Sequence, residues 1–572
     1  MDTLYFDIES NGLLDTADRI ICIGLKRRGE AEPTIAFTES QIADALRAIE
    51  LADVVIGHNI LAFDLPVLRK LYPTWKGPSG AVRDTLVKAR LAVPDIKDDD
   101  FQTAGFPKEL IGSHSLKAWG HRLGVAKSVA MEDVVDWKSL EYTDEIGDYC
   151  KQDVRVTEAL DKHLEPKVGS FDAVVLEHRF AEIIATQMQN GFAFDREAAG
   201  RLYSVLAGER DRLIRELQLE VPPTVIKMKT KIKEIPFNPA SRQQIAVALR
   251  DLGWDPSEFT PSGEAKVDEA VLSRLEYPIA KKLSNYLLIQ KRIGMLAEGD
   301  EAWLKVERNG RIYGSVNHNG AVTGRCTHRG PNMAQVPACG SPYGTECRSL
   351  FIAPPGRLLV GVDASGLELR CLAHYMAKYD DGAFAKELLE GDIHTANQKA
   401  AGLPTRNDAK SFIYAFLYGA GPAKLGTIIG GGYKEGKEMQ SRFLTKVPAL
   451  KSLKDAVEAA CSRGYLYGLD GRLLRIRSPH AALNTLLQSA GAVIMKKATV
   501  IMNQEMICMG LTGRFKQVAH IHDEVQFEVD AAVAEEVAPV LKESITKAGV
   551  ILGFRCPLAG EAKIGRNWAE TH

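Results

Sequence analysis

Along residues 1–165, short apolar runs alternate with longer amphipathic stretches. The segments "TLYFDIE", "RIICIGLKR" and "DVVIGHN" have the length and the β-branched and aromatic content of strands. The segments "DLPVLRKLY" and "DEIGDYCKQDVRVTEALDKHL" instead repeat apolar positions three and four residues apart, as amphipathic helices do. Alternation of the two types predicts an α/β domain. Residues 175–300 turn helical, in "EHRFAEIIATQMQNG", "REAAGRLYSVLAGERDRLIRELQ" and "EYPIAKKLSNYLLIQKRIGML", interrupted by a lysine-rich run and the turn "PFNPASR". A separate helical arm is expected there. From about residue 300 strands and helices mix again, and "GRLLVGVDAS" and "VAHIHDEVQFEV" read as the two clearest strands. There is no internal repeat and no low-complexity tract.

At 572 residues the chain is too long for one core, and about two to four domains are expected. A hydrophobic fraction of 45% and a charged fraction of 26% are those of an ordinary globular protein. No apolar run reaches about 18 residues, so no membrane span is expected. The opening "MDTLYFDIES" lacks the basic and apolar regions of an export signal, which predicts a cytoplasmic protein. Nine cysteines, without any Cys-x-x-Cys pair, predict reduced thiols rather than a disulfide framework or a structural zinc site. The net charge of −2 does not advertise a polyanionic partner, but a basic channel beside an acidic metal centre also sums to near zero. One run, "IKMKTKIKEI" with Lys227, Lys229, Lys231 and Lys233, reads either as a solvated charged loop or as a phosphate-contacting arm.

Chemistry concentrates in two acidic sets. In "TLYFDIES" side chains alternate faces, so Asp7 and Glu9 share one face while Leu4, Phe6 and Ile8 share the other. Asp64 opens a helix in "GHNILAFDLP", and Asp153 lies four residues after Tyr149 on one helix face. Four converging carboxylates with no cationic side chain nearby are tolerated only with metal cations between them. Two magnesium ions about 3.5–4 Å apart can activate a water and stabilise the leaving oxygen of a phosphodiester. Tyr149 would orient that water.

The second set pairs Asp363, at the end of "GRLLVGVDAS", with Asp523 in "HIHDEVQFEV". His520, His522, Asp523 and Glu524 together admit either zinc or hard divalent ions, but no Cys/His spacing supplies further soft ligands for zinc. Between the two segments lies the helix "LPTRNDAKSFIYAFLYGAG". On it Arg406, Lys410, Tyr414 and Tyr418 recur every four residues. An amphipathic surface helix could carry such a stripe. So could a helix whose two cations grip a triphosphate while Tyr414 stacks on sugar and base.

Two resemblances follow from these residues. Asp7-x-Glu9, Asn59-x-x-x-Phe63-Asp64 and Tyr149-x-x-x-Asp153 resemble the proofreading 3′–5′ exonucleases of the DEDDy type. "DASGLELR", "RNDAKSFIYAFLYG" and "HDE" resemble motifs A, B and C of family A DNA polymerases, with "TGRCTHRGPNMAQVP" as the primer–template segment and "SPHAALNTLLQSAGA" as the template-side helix. The wording is nearest that of the phage replicative enzymes of this family.

The resemblance implies an α/β and α+β multidomain fold. An RNase H-like exonuclease domain at 1–170 would precede a right-hand polymerase domain at 171–572. Its thumb would span about 175–300, its palm about 301–385 and 480–572, and its fingers about 386–479. Asp363, Asp523 and the backbone carbonyl of Ala364 would hold two magnesium ions, with Glu524 in support. Asp7, Glu9, Asp64 and Asp153 would hold two more, manganese being an acceptable substitute at either centre. Arg406, Lys410 and His394 would bind the triphosphate, and Glu368 with Tyr414 would floor the sugar pocket against a 2′-OH. Arg325, Asn484 and Gln488 would read minor-groove acceptors, Tyr418 would stack at the templating position, and His522 would contact the primer terminus. His520 is assigned to the core.

Implied partners are primer–template DNA, deoxynucleotides, and a helicase or single-strand-binding protein. The enzyme would act as a monomer, away from membranes. A phage member of the family has a thumb insertion that captures thioredoxin. The corresponding stretch here, between "RDRLIRELQ" and "PFNPASR", is short, so no dependence on thioredoxin is expected. The 5′-nuclease domain of bacterial relatives is not expected either. Competing readings are an exonuclease with a degenerate polymerase half, a single-subunit RNA polymerase, and a purely structural DNA-binding role, which would not need two complete acidic sets. Intact Asp363, Asp523, Arg406 and Lys410 speak against the first, and Glu368 and Tyr414 against the second.

Overall fold

The computed structural model describes residues 1–125, 137–227 and 232–572. The first five strands are β1 (Thr3–Ser10), β2 (Ile20–Arg27), β3 (Thr34–Ala36), β4 (Val54–Gly57) and β5 (Ala81–Asp84). They form one sheet in the order β3-β2-β1-β4-β5. β1 runs antiparallel to β2 and parallel to β4, and β4 runs parallel to β5. The helices around this sheet are α1 (Glu39–Leu51), α2 (Asp64–Leu71), α3 (Thr85–Ala92) and α4 (Asp144–Leu164).

β1 is central and buried along its whole length, because both of its faces are covered. Leu4, Phe6 and Ile8 pack with Ile42, Leu46 and Ile49 of α1. On the other face Tyr5 packs with Val154 of α4. That helix lies very close to the sheet. A Cβ on Gly24 of β2 would stand 2.9 Å from Cys150 Sγ and 3.0 Å from Val154 Cγ2.

A second sheet contains β6 (Arg357–Ala364), β7 (Phe515–Ile521), β8 (Glu524–Asp530) and β9 (Gly560–Gly565), in the order β7-β8-β6-β9. "VAHIHDEVQFEV" is therefore not one strand, as its alternation suggests, but a hairpin. Ile521 pairs with Glu524, leaving His522 and Asp523 as a two-residue loop, with His522 at φ 56°. Such loops require positive φ and are normally flagged by Asn-Gly or Asp-Gly. His-Asp carries no such flag, so the turn is invisible to the pattern.

Around this sheet lie α5 (Phe171–Asn190), α6 (Leu367–Asp380), α7 (Ile393–Ala401), α8 (Arg406–Leu417), α9 (Pro479–Cys508) and α10 (Ala534–Ile551). Residues 489–496, in the middle of the 30-residue α9, are buried on every side, which fits a helix enclosed by α5, α6 and α10. α8 starts at a capping box, Thr405 with Asp408, at the position expected.

Contacts divide the chain into two compact units, one of residues 1–190, 316–327 and 360–564, the other of residues 191–315, 328–359 and 565–572. The second unit carries two long helices, Arg196–Glu220 and Pro278–Ile293. Its core is aromatic: Phe192, Phe194, Trp303, Phe351 and Trp568 pack with ring centroids 5.3–6.3 Å apart. Arg348 lies 4.3 Å over the Trp568 ring. The lysine run is not a plain loop. Lys227 ends one strand, Thr224–Lys227, and Lys233 lies in its antiparallel partner, Ile232–Ile235, while Lys229 and Lys231 fall outside the described residues. None of the nine cysteines is in a disulfide. Among the described residues no helix is long and apolar enough to cross a membrane.

Candidate active sites

The first site lies on β1. Asp7 and Glu9 are each only 9% exposed. One carboxylate oxygen of each and Cys150 Sγ all lie within 4.8 Å of one another. Asp64, the first residue of α2, accepts the backbone N–H of Ile8 at 3.2 Å, which fixes it against β1. Asp153 is buried on α4, one turn beyond Tyr149. Tyr149 packs with Ile21, Cys22, Ile146 and Cys150. Burial, reinforced by the neighbouring Asp84 and Asp153, pushes the Asp64 carboxyl up to about 8. The neighbouring carboxylates thus add to burial in disfavouring ionised Asp64.

Two residues here escaped the sequence reading. Cys150 follows Tyr149 directly, and only the angle at which α4 crosses the sheet brings its sulfur to Asp7. Asp84 accepts backbone N–H groups from Asn59 at 2.8 Å, Leu61 at 3.1 Å and Leu86 at 2.9 Å. It thereby holds the loop, with Asn59 at φ 64°, that delivers Asp64.

The second site is built on the second sheet. The Ala364 N–H donates to the Asp523 carbonyl at 3.0 Å, tying the end of β6 to the tip of the β7–β8 hairpin. Asp363 and Asp523 are therefore presented at the same end of the sheet. Glu368, in the first turn of α6, accepts from the Tyr418 hydroxyl at 3.1 Å and lies 3.9 Å from Arg325 Nη2. Arg325, Glu368, His522 and Asp523 line a small cleft with Gly491 of α9. Burial, then the charge of Glu368, raises the Asp523 carboxyl above its usual range. Glu524 is 5% exposed and accepts from Gln526 Nε2 at 2.7 Å within β8.

The stripe on α8 faces this site. Tyr414 is shifted upward by burial and then by the nearby charge of Glu368. His394 of α7 lies 6.4 Å, ring to ring, from Tyr414, and its pKa is lowered by burial and by Arg406 and Lys410. Arg406 Nε donates at 2.8 Å to Asp392, whose carboxylate also caps α7 by accepting from the N–H groups of His394 and Thr395. Asp392 was not singled out from the sequence. On α9 Gln488 Nε2 donates to Asn484 Oδ1 at 2.9 Å. His520 is 3% exposed with its ring edge-on to Phe180, a core position as expected.

The sequence profile of DNA polymerase family A matches residues 211–570. The DNA-directed DNA polymerase of Enterobacteria phage T3 is 37% identical over 100% of this chain and 100% of its own. That of Escherichia phage T7 is 37% identical over 99% of each chain. The phage T3 alignment runs over 704 positions against 572 residues here, leaving at least 132 positions without a counterpart in this chain. Among solved structures, the POL domain of Pol1 from M. smegmatis, in complex with DNA primer–template and dNTP, superposes with a TM-score of 0.77 over 99% of this chain and 95% of its own, at 18% identity. That likeness shows a shared fold.

Proposed function

Because this chain belongs to DNA polymerase family A and is a DNA-directed DNA polymerase, we propose that it extends a primer 3′ end with deoxynucleotides at the Asp363–Asp523 site and resects it 3′ to 5′ at the Asp7–Glu9 site. The observation that carries the first half is the bond from the Ala364 N–H to the Asp523 carbonyl. It puts two acids from separate segments at one end of a rigid sheet, where the α8 stripe can present cations to a triphosphate.

The donors at this site, Asp363, Asp523 and the Ala364 carbonyl, are hard oxygens suited to magnesium or manganese. Bound there, two such ions would favour ionisation of the primer 3′-OH and offset charge on the departing pyrophosphate. Arg406, Lys410 and His394 hold the triphosphate, and the Arg406–Asp392 pair keeps the guanidinium oriented before it arrives. Glu368 and Tyr414 close the floor of the sugar pocket and select against a 2′-OH. Arg325, Asn484 and Gln488 contact the minor-groove edges of the terminal pairs, where correct pairs place acceptors alike. Tyr418 stacks at the templating position and His522 meets the primer terminus.

At the resecting site Asp7, Glu9, Asp64 and Asp153 supply the metal-binding oxygens and Tyr149 orients a water. Hydrogen bonding with Cys22 and burial hold the Cys150 thiol well above its usual range, so it stays protonated and leaves the carboxylates as donors. The shortage of aligned positions against the phage relatives, with the short stretch after Glu220, supports a polymerase that needs no thioredoxin.

One gel tests this reading. A labelled primer on a longer template is incubated with magnesium and either no nucleotide, dNTPs or rNTPs. Extension with dNTPs alone and shortening without nucleotide are the expected results. Shortening in every lane would reduce the C-terminal half to a DNA clamp, and extension with rNTPs would overturn the sugar-pocket assignment.

A further inference from the structure

The middle of α9, residues 489–496, is buried on every side and ends in a lysine. Lys496 is 1% exposed, and its Nζ lies 2.5 Å from Glu177 Oε1 on α5. Glu177, fully buried, also pairs with Arg472 Nη1 at 2.8 Å and with His318 Nδ1 at 3.1 Å. Arg472, 2% exposed, reaches Asp470 through Nη2 at 2.7 Å and Nε at 2.9 Å. Two cations and two carboxylates are thus sequestered together. Burial holds His318 down to about 4, so the imidazole adds no charge. Such a cluster gains little stability over apolar packing of equal volume, and its better-attested use is to specify geometry.

The geometry it specifies is that of the loop from Asn319 to Arg325. Gly320, Ala321 and Gly324 supply no large side chain to this loop, which is held by buried Asn319 and Thr323 and by hydrogen bonds. The N–H groups of Gly320 and Ala321 both donate to the Arg325 carbonyl at 3.2 Å. Asn319 Oδ1 accepts from Lys496 Nζ at 3.5 Å, and its amide donates to the Arg90 carbonyl at 2.6 Å. The guanidinium of Arg472 lies against the loop backbone. A Cβ on Gly324, at φ 80°, would stand 2.7 Å from Arg472 Nη1. The next residue is Arg325, which lines the cleft beside Glu368 and Asp523.

We propose that Arg472, held by Glu177 and Asp470, is a positioning residue for Arg325, and that through Arg325 it sets how strongly the enzyme discriminates a paired from a mispaired primer end without itself touching DNA. The inference rests on the reading above that Arg325 contacts the minor groove. Rigid placement matters because a contact displaced by about 1 Å can lose most of its catalytic benefit.

The test is a double-mutant cycle read as the ratio of extension efficiencies from paired and mispaired primer 3′ ends. The terminal linkage is a phosphorothioate, to slow resection. Arg325→Ala should lower the ratio about tenfold, the equivalent of one lost charge-assisted hydrogen bond. Arg472→Lys keeps the buried charge but loses the two-pronged grip, and should lower the ratio in the same direction. Gly324→Ala leaves every charge in place, presses a methyl group onto Arg472 and strains the loop backbone at φ 80°, and should do likewise. In the Arg325→Ala background neither change should alter the ratio by more than about twofold, because coupled residues are non-additive. Melting temperatures are recorded in parallel. Arg472→Lys and Gly324→Ala proteins that melt earlier yet keep the parental ratio would overturn the proposal, as would effects that simply multiply with that of Arg325→Ala. An Arg325→Ala enzyme with an unchanged ratio would instead refute the minor-groove reading, and the inference with it.

Discussion

Gly24→Ala should separate the two proposed activities. Gly24 is the direct cross-strand partner of Asp7. Its missing side chain is where α4 rests. An added methyl carbon would meet Cys150 Sγ at 2.9 Å and Val154 Cγ2 at 3.0 Å. Ordinary contact for such atoms is about 3.5–4.0 Å. Either the two side chains rotate, or α4 retreats locally by roughly 0.5–1 Å. Overpacking of this kind costs about 1–3 kcal/mol. Restricting the unfolded chain returns only about 0.4–1 kcal/mol, so the net effect is destabilising. The functional effect is larger. Cys150 and Val154 sit beside Tyr149 and Asp153 on the same helix, so retreat of α4 draws that pair away from Asp7 and Glu9. A misplacement near 1 Å can cost about 10²-fold in rate. The assay is shortening of a 5′-labelled single strand, run beside dNTP extension of a primed template and a thermal melt. A folded variant that resects within about threefold of the parent would refute the packing argument, since that argument demands roughly 10²-fold. A parallel loss of extension would refute the separation of the sites.

Other expectations follow from single groups. Burial holds His318 down to about 4 against an ordinary value near 6.5. Between those values the unfolded chain takes up a proton that the folded chain refuses, so stability is complete above about pH 6.5 and falls as the pH drops towards 4. From pH 7 to 5 the loss should be about 2 kcal/mol, read as a lower urea midpoint, and a His318→Asn variant should show a correspondingly shallower dependence. An unchanged dependence would place the acid sensitivity elsewhere. Tyr414→Phe should terminate chains less readily with dideoxynucleotides than the parent, because the Tyr414 hydroxyl can take the place of the missing 3′-OH. Equal termination by both enzymes would exclude that role. Addition of thioredoxin should leave product length on a long primed template unchanged, and a severalfold gain would overturn that expectation.

The acids were legible as pairs and spacings because strand and helix periodicities are local. Asp7 and Glu9 share a face of β1 whatever packs on it, and Tyr149 and Asp153 share a face of α4. The stripe from Arg406 to Tyr418 likewise needs only the rise of one helix, and the capping box at Thr405 marks where it starts. The family resemblance added roles that spacing alone left open, above all for Arg325, Glu368 and His394.

Local sequence also determined which side chains of β1 share a face and the aromatic content of the second unit's core. What it could not determine was anything set by the meeting of distant segments. The His522–Asp523 turn reads as strand because the alternation continues across it, and only the pairing of Ile521 with Glu524 makes it a hairpin tip. Cys150 joins Asp7 and Glu9 because α4 crosses β2 at a glycine. Glu177 lies about 300 residues from Arg472 and Lys496, and each alone looks like an ordinary surface charge. Tertiary structure buries them together, and a charge removed from water must find its counter-charge there, so these partners were decided by the fold.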